Sequence, residues 1–304
     1  GYALACQTVL EGDAWITVPP QQVIERRLTT HKMAARVEPP ADYDPRRHQS
    51  VRRFYLRLPP PDLADQTDDW SRVARELARH GVENPHVGLP LLREMPRILR
   101  ALPDERDKAA EPTADDQLPD IWHDTAEPWQ VTAVVALDTW DRPHGPPQLL
   151  ALLPGDRTDR NLGAAIDVGT TTVTVWLVDL ESGEVVAQAS DYNGQIARGE
   201  DVISRIIYAR KPDRLAELQD LVVGTINRLL QAVCRQVRAS TDEILKLTIA
   251  GNTTMIHLLL AIPPESIRLA PFIPVVNYPP TITAGELRLA VHPQAVVDCL
   301  PGVA

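Results

Sequence analysis

Ala164-Ala165-Ile166-Asp167-Val168-Gly169-Thr170-Thr171-Thr172-Val173-Thr174-Val175-Trp176-Leu177-Val178-Asp179 decides the fold. It reads as two β-strands joined by a tight polar turn. Residues 164–168 are apolar, and residues 173–178 are rich in β-branched and aromatic side chains. Gly169 tolerates φ > 0 and carries no Cβ to block a close ligand. Thr170, Thr171 and Thr172 then offer hydroxyls and backbone N–H groups at one bend, and successive N–H groups form a concave anion site. Asp167, at the strand end, is placed to hold Mg²⁺ through its water shell, because Mg²⁺ keeps several waters and takes one or two carboxylates. The competing reading is an ordinary hairpin, since Asp and Gly are common turn residues.

The surroundings shift that balance. A second turn follows at Glu181-Ser182-Gly183, then a strand over 184–189 and a helix. This order resembles the opening of the actin-like ATPase fold, and Asp-x-Gly-Thr-Thr is similar to the first phosphate loop of that superfamily. Asn193 and Gln195 serve either as turn chemistry before a helix or as site lining. Asp201 caps that helix, with Val202, Ile203, Ile206 and Ile207 on its apolar face and Arg205 and Arg210 outside it. From Pro212 a long helix carries Leu215, Leu218, Val222, Ile226, Leu229, Val233 and Val237 at alternating spacings of three and four. Cys234 sits beside that seam as packing. A buried strand over 244–250 runs into Gly251-Asn252-Thr253-Thr254-Met255. A small-residue bend that opens a helix after a strand points N–H groups beyond the sheet edge. Asn252 or Thr253 is equally an ordinary N-cap. His257 reads as a core or flank residue, and the Pro-rich tail from 263 holds two strand-like pieces.

Bulk properties narrow the function classes. The 304 residues have room for two domains. A net charge of −10 argues against a nucleic-acid or anionic-membrane partner. No apolar run is long enough to span a bilayer. Cys6, Cys234 and Cys299 lie too far apart to suggest a disulfide framework, which points to a reducing, cytoplasmic setting. Gly1 stands in place of an initiating Met, and no signal peptide follows.

Towards the N-terminus, residues 1–19 read as two short strands around Glu11-Gly12-Asp13, with Cys6 just before them; a lone Cys is most simply a buried small hydrophobe. An amphipathic helix over 21–33 offers either a homodimer contact or a cover for a neighbour's edge, the second being simpler. His31 and His48 carry no role. A strand over 51–58 precedes a helix capped by Asp68 or Asp69, bearing Trp70, Val73, Ala74 and Leu77, and ended by Gly81. A second helix over 89–102 accommodates Pro96 with a kink. An acidic loop covers 103–127, and strands over 130–137 and 148–153 pair across a turn at 141–147. Trp122-His123-Asp124 has no catalytic weight as loop neighbours.

Several blocks together are similar to the signatures of one family: residues 163–172, Asn193-x-Gln195, Gly199-Glu200-Asp201-Val202-Ile203-Ser204-Arg205-Ile206, and Ala250-Gly251-Asn252-Thr253-Thr254-Met255. That family is the ferredoxin-plus-actin-like-ATPase proteins typified by the reductive activator of corrinoid/iron–sulfur protein. Leu4-Ala5-Cys6-Gln7 before a Gly-Asp hairpin resembles the end of a plant-type [2Fe–2S] ferredoxin, where the fourth cluster cysteine sits. The resemblance implies an α/β protein in four parts: the tail of a β-grasp ferredoxin (1–19), a linker (20–50), a small α+β middle domain (51–158), and the first half of an actin-like (ribonuclease H-like) ATPase domain (159–304). It implies ATP-dependent reduction of a Co(II) corrinoid to Co(I) on a partner corrinoid protein or corrinoid-dependent methyltransferase, the electron passing through a [2Fe–2S] cluster. Asp167 would then be the catalytic residue that positions Mg²⁺. Gly169, Thr170, Thr171 and Thr172 would hold the phosphates of ATP, Gly251, Asn252, Thr253 and Thr254 would line the far wall, and Cys6 would be one cluster ligand.

The departures are specific. The other three cluster cysteines are missing, as are the second phosphate loop and adenosine segment expected after 304, so the chain reads as a fragment lacking both ends. Gly194 stands where the family often has proline, which predicts a looser turn. Two rival classes use the same loop: a kinase-like phosphotransferase and a non-catalytic nucleotide-sensing scaffold. The segment around Cys6 favours the activator.

Overall fold

The computed structural model describes residues 38–102, 127–137 and 145–302. The ferredoxin-like segment with Cys6, the helix expected over 21–33, Trp122-His123-Asp124 with most of its loop, and the start of the turn at 141–147 lie outside the described residues.

A short helix α1 (Pro45–His48), capped by Asp44, leads into β1 (Val51–Arg57). Then come α2 (Asp69–Arg79), β2 (His86–Val87), α3 (Leu89–Leu99), β3 (Gln130–Ala136) and β4 (Gln148–Pro154). The strands form a sheet in the order β1-β3-β4-β2, antiparallel except where the two residues of β2 run parallel to β4. Asp68 caps α2 by accepting from the Ser71 N–H, and Gly81, at φ +81°, turns the chain beyond its end. Val73 and Leu77 of α2 and Leu91, Met95, Ile98 and Leu99 of α3 cover one face of this sheet, over Phe54, Leu56, Val131, Ala133, Val135, Leu149 and Leu152. Its other face, through Val51, Val134, Ala136, Leu150 and Ala151, packs on Leu245 and Val296 of the next sheet.

That second sheet is built from β5 (Leu162–Val168), β6 (Thr172–Asp179), β7 (Val185–Tyr192), β8 (Ile244–Gly251), β9 (Ile282–Thr283) and β10 (Val296–Cys299). Its order is β7-β6-β5-β8-β10-β9. The first three strands are an antiparallel meander, whereas β8 is parallel to β5 and β10 is parallel to β8. A meander extended past its first strand by parallel strands is the ribonuclease H-like arrangement on which actin-like ATPases are built. Between β7 and β8 run a 3-10 turn (Gly194–Arg198), α4 (Val202–Tyr208) and α5 (Pro212–Val237); α6 (Thr253–Leu259) and α7 (Glu265–Arg268) follow β8.

The sheet is held by α5. Its expected seam is buried from Leu215 to Val233 in one core with Ile166, Val173, Val175, Leu177, Leu247 and Ile249, while Val237, its last member, is half-buried against that core. Each such side chain contributes about 1.5–3 kcal/mol relative to exposure. Cys234 and Cys299 belong to the same core, and burial pushes both thiols up to about 12. No helix among the described residues is long and apolar enough to cross a membrane.

His257 is fully buried on α6. Its Nδ1 lies 2.7 Å from the Thr253 carbonyl, and its Nε2 accepts the Val275 N–H at 3.1 Å. The ring is therefore neutral, with the proton on Nδ1. Burial holds its pKa below the ordinary 6.5, against the opposing pull of the Thr253 carbonyl. An unfolded chain would bind a proton near pH 6.5 that the folded ring refuses. Stability is thus expected to fall as pH drops below about 6.5, and His257→Gln to flatten that slope in urea titrations between pH 7 and 5. His292, also depressed by burial, supplies a residual slope. Parallel slopes in the variant and the wild type would refute the assignment to His257.

Candidate functional site

Because β5 and β8 are parallel neighbours, with Asp167 opposite Ala250 and Val168 opposite Gly251, both strands end at the same sheet edge. The turn after β5 and the opening of α6 therefore lie side by side, the place where open α/β sheets receive ligands. The two are joined directly: Asn252 Nδ2 donates to Thr170 Oγ1 at 3.3 Å. Asn252 also caps α6, its Oδ1 accepting from the Met255 N–H at 2.9 Å. One side chain thus caps α6 and ties its opening to the turn after β5.

Neither glycine is required for a left-handed backbone. Gly169 closes the turn by donating its N–H to the Thr172 carbonyl at 2.9 Å, and an added Cβ there would lie 2.6 Å from that same oxygen. At Gly251 a Cβ would come within 3.0 Å of the Val168 carbonyl. Close packing of backbone on backbone, rather than positive φ, demands glycine at both.

Strand alternation buries Ile166 and Val168 and turns Asp167 outward. Its carboxylate has no hydrogen-bond or ion-pair partner among the described residues, and partial desolvation pushes its pKa up. A carboxylate in that condition gains from a cation. Thr171 is exposed, Thr170, Thr172 and Thr253 are half-buried, and Thr254 is buried with 3% exposure. Thr254 therefore belongs to the interior side of the turn.

The turn over residues 169–172 is braced from behind by Asn193, Gln195 and Arg205. Asn193, 1% exposed, donates its backbone N–H to the Thr171 carbonyl at 2.9 Å and its Nδ2 to the Gly169 carbonyl at 2.9 Å. Gln195, fully buried, donates to the Leu218 carbonyl at 2.9 Å. Arg205 donates to the Thr170 carbonyl at 2.5 Å, the Gly199 carbonyl at 2.9 Å and Gln195 Oε1 at 3.1 Å. Three consecutive carbonyls, those of Gly169, Thr170 and Thr171, are thereby turned inward onto protein donors. No acceptor among the described residues takes the N–H of Thr170 or Thr171. Such a pair of N–H groups fits an anion.

Two expectations need correction here. Arg205 was expected outside the apolar face of α4, with Ile203 and Ile207 inside it. Arg205 is 0% exposed, while Ile203 and Ile207 are 52% and 48% exposed. The unpaired carbonyls of the turn recruit the guanidinium inward, and on a helix of seven residues that fixes which face is buried. The turn at Gly194 is not loose either. Its N–H donates to Thr225 Oγ1 at 3.2 Å, and a Cβ would meet the Leu221 carbonyl at 2.9 Å.

Two family models match the chain: the RACo linker region over residues 40–103 and the RACo middle region over residues 162–304. Together they cover more than half of it. The chain belongs to the RACo family. The RACo middle region coincides with the sheet that carries the two turns, and the RACo linker region takes in β1, α2 and α3. A curated relative, corrinoid activation enzyme RamQ of Eubacterium limosum, is 32% identical over 156 residues, which is 51% of this chain and 26% of RamQ. A solved structure, a reductive activator for corrinoid, iron-sulfur protein, is similar at TM-score 0.65 with 36% identity, over 84% of this chain and 36% of that one. The chain thus spans about a quarter to a third of the length of these RACo-like relatives.

Proposed function

We propose that the chain forms the nucleotide-binding part of an ATP-dependent activator, one that returns an inactive Co(II) corrinoid on a partner protein or corrinoid-dependent methyltransferase to Co(I). The observation that carries this reading is the meeting of the two turns at the ends of β5 and β8, with the Asp167 carboxylate and the N–H groups of Thr170 and Thr171 all without a partner among the described residues. The similarity to the corrinoid activation enzyme RamQ and to the reductive activator for corrinoid, iron-sulfur protein directs it to corrinoid chemistry.

The residues present fit Mg²⁺-ATP. Asp167 would hold the ion through water, the N–H groups of Thr170 and Thr171 would take phosphoryl oxygens, and Asn252 and Thr253 would bound the opposite side. What bound nucleotide supplies is a bias: it favours whichever conformation of the activator–corrinoid complex it binds more tightly, by no more than that difference in affinity. Asn193, Gln195 and Arg205 keep the turn in the shape that makes such a difference possible.

The [2Fe–2S] centre does not fit these residues. Such a cluster takes four thiolates. Cys234 on α5 and Cys299 on β10 are buried with raised pKa values, which leaves Cys6, outside the described residues, as the single candidate. Reduction needs one electron per cobalt, and a [2Fe–2S] donor would need thiolates beyond the three that residues 1–304 contain.

The test is anaerobic and uses the full-length protein. Candidate Co(II) corrinoid proteins receive a reductant with and without Mg-ATP while the cobalt absorbance is followed. Co(I) formed only with ATP is the expected result. ATP hydrolysis without Co(I) from any candidate, together with phosphorylation of a small-molecule acceptor, would instead establish a phosphotransferase.

A further inference from the structure

Arg205 is an expensive residue to bury. Its guanidinium is 0% exposed, yet each group it touches among the described residues is neutral: the carbonyls of Thr170 and Gly199, Gln195 Oε1, and Met255 Sδ at 3.2 Å. The nearby carboxylate, Asp201, is occupied with capping α4 through the Ser204 N–H and acts on the guanidinium only at a distance. A buried charge without an opposite charge in contact is strongly disfavoured. Neutral donors would serve carbonyls as well, so hydrogen bonding alone does not explain an arginine.

Its position does. A trans peptide points its C=O and N–H in opposite directions. The Thr170 carbonyl faces Arg205, so the N–H of the same peptide unit, that of Thr171, faces away from the core. A charged donor on the oxygen polarises the whole unit and strengthens the N–H as a donor. The wall between is protein rather than water, so the charge itself is weakly screened at the turn. Met255, on α6, brings the same guanidinium against the helix that Asn252 opens.

We infer that Arg205 is the positioning residue of the anion site: it orients and polarises the Thr170–Thr171 peptide, and its buried positive charge is balanced by the polyphosphate of the bound ligand. The inference rests on the nucleotide reading above and deepens it. It requires that the contribution of Arg205 grow with the negative charge of the ligand.

The experiment is calorimetric titration of the full-length protein, in the presence of Mg²⁺, with AMP, ADP, ATP and inorganic tripolyphosphate. Two variants are compared with wild type. Arg205→Met removes the charge. Gln195→Glu gives up the Gln195 bond to the Leu218 carbonyl but keeps Arg205 and its carbonyl contacts and sets a negative charge against its NH1, so it carries the test if Arg205→Met does not fold. In both variants ATP and tripolyphosphate are expected to bind about tenfold or more weakly, the scale of one charge-assisted hydrogen bond. ADP should lose less, and AMP least. Equal losses for AMP, ADP and ATP in Gln195→Glu would make Arg205 a purely structural brace and overturn the inference. A wild type that binds tripolyphosphate but not ATP would sink the nucleotide reading and leave the role of Arg205 standing. Binding of neither ligand by the wild type would sink both.

Discussion

Asp167→Asn is expected to abolish ATP-dependent Co(I) formation while leaving the ligand-free protein slightly more stable. The two effects have one cause. In the folded chain the carboxyl pKa is raised by desolvation, with no cation or donor among the described residues to oppose it. An acid whose pKa is higher folded than unfolded binds more protons in the folded state between the two values. Stability therefore decreases as pH rises through that window, and the full cost is present at pH 7. Asparagine removes it. The residue is exposed, so solvent screening limits the gain to no more than about 0.5 kcal/mol. The loss of function is far larger, because asparagine offers Mg²⁺ no charge, and removing one group of an electrostatic site costs about 10²-fold or more. Paired measurements decide the matter: thermal melts without ligand, and cobalt reduction with Mg-ATP. A variant that is both less stable and fully active would remove Asp167 from the site.

What the sequence disclosed and what it withheld divide along physical lines. The hairpin around Gly169, the seam of α5, the strand into Gly251 and the cap at Asn252 were legible, because each is written in neighbouring residues through alternation, helical spacing or turn chemistry. Arg205 was not. Its partner carbonyl at Thr170 is 35 positions away, and the spacing rule that placed Ile203 and Ile207 inside weighs apolar burial without knowing that three carbonyls wait on the other side. Asn193 was legible only as turn chemistry, which it does supply by capping the 3-10 turn through the Gln195 N–H; its bonds to Gly169 and Thr171 appear only once β7 lies beside β6. β2 and β9 have two residues each, too few to show any period. The four residues 251–254 read as one wall in sequence, yet Thr254 follows its helix into the core.

Breaking the ion pair of Lys246 with Asp298 is expected to have the largest effect on stability. The two stand on neighbouring parallel strands, β8 and β10, with side chains only 12% and 10% exposed. Lys246 Nζ donates to Asp298 Oδ2, and Thr281 Oγ1 donates to Oδ1 at 2.6 Å, so both carboxylate oxygens are served. Lys246→Met alone strands a buried carboxylate and should cost about 3–5 kcal/mol, as should Asp298→Leu alone, which strands the ammonium. The double substitution removes both charges, and it should recover most of that loss because desolvation no longer has to be offset. Urea midpoints of the four proteins give the coupling. Single-variant costs below about 1 kcal/mol would show a pair solvated like one at the surface. The consequence reaches the candidate site. β8 ends at Gly251, and the chain leaving β10 ties Leu300 N–H to the Ile249 carbonyl at 2.8 Å and brings Gly302 so near Thr253 that a Cβ there would lie 2.8 Å from its hydroxyl. The pair fixes the register of the two strands whose ends support the Asn252–Thr253 turn. If that register matters to the ligand, the double variant, though stable, should bind Mg-ATP more weakly than wild type; unchanged affinity would confine the pair to holding the sheet.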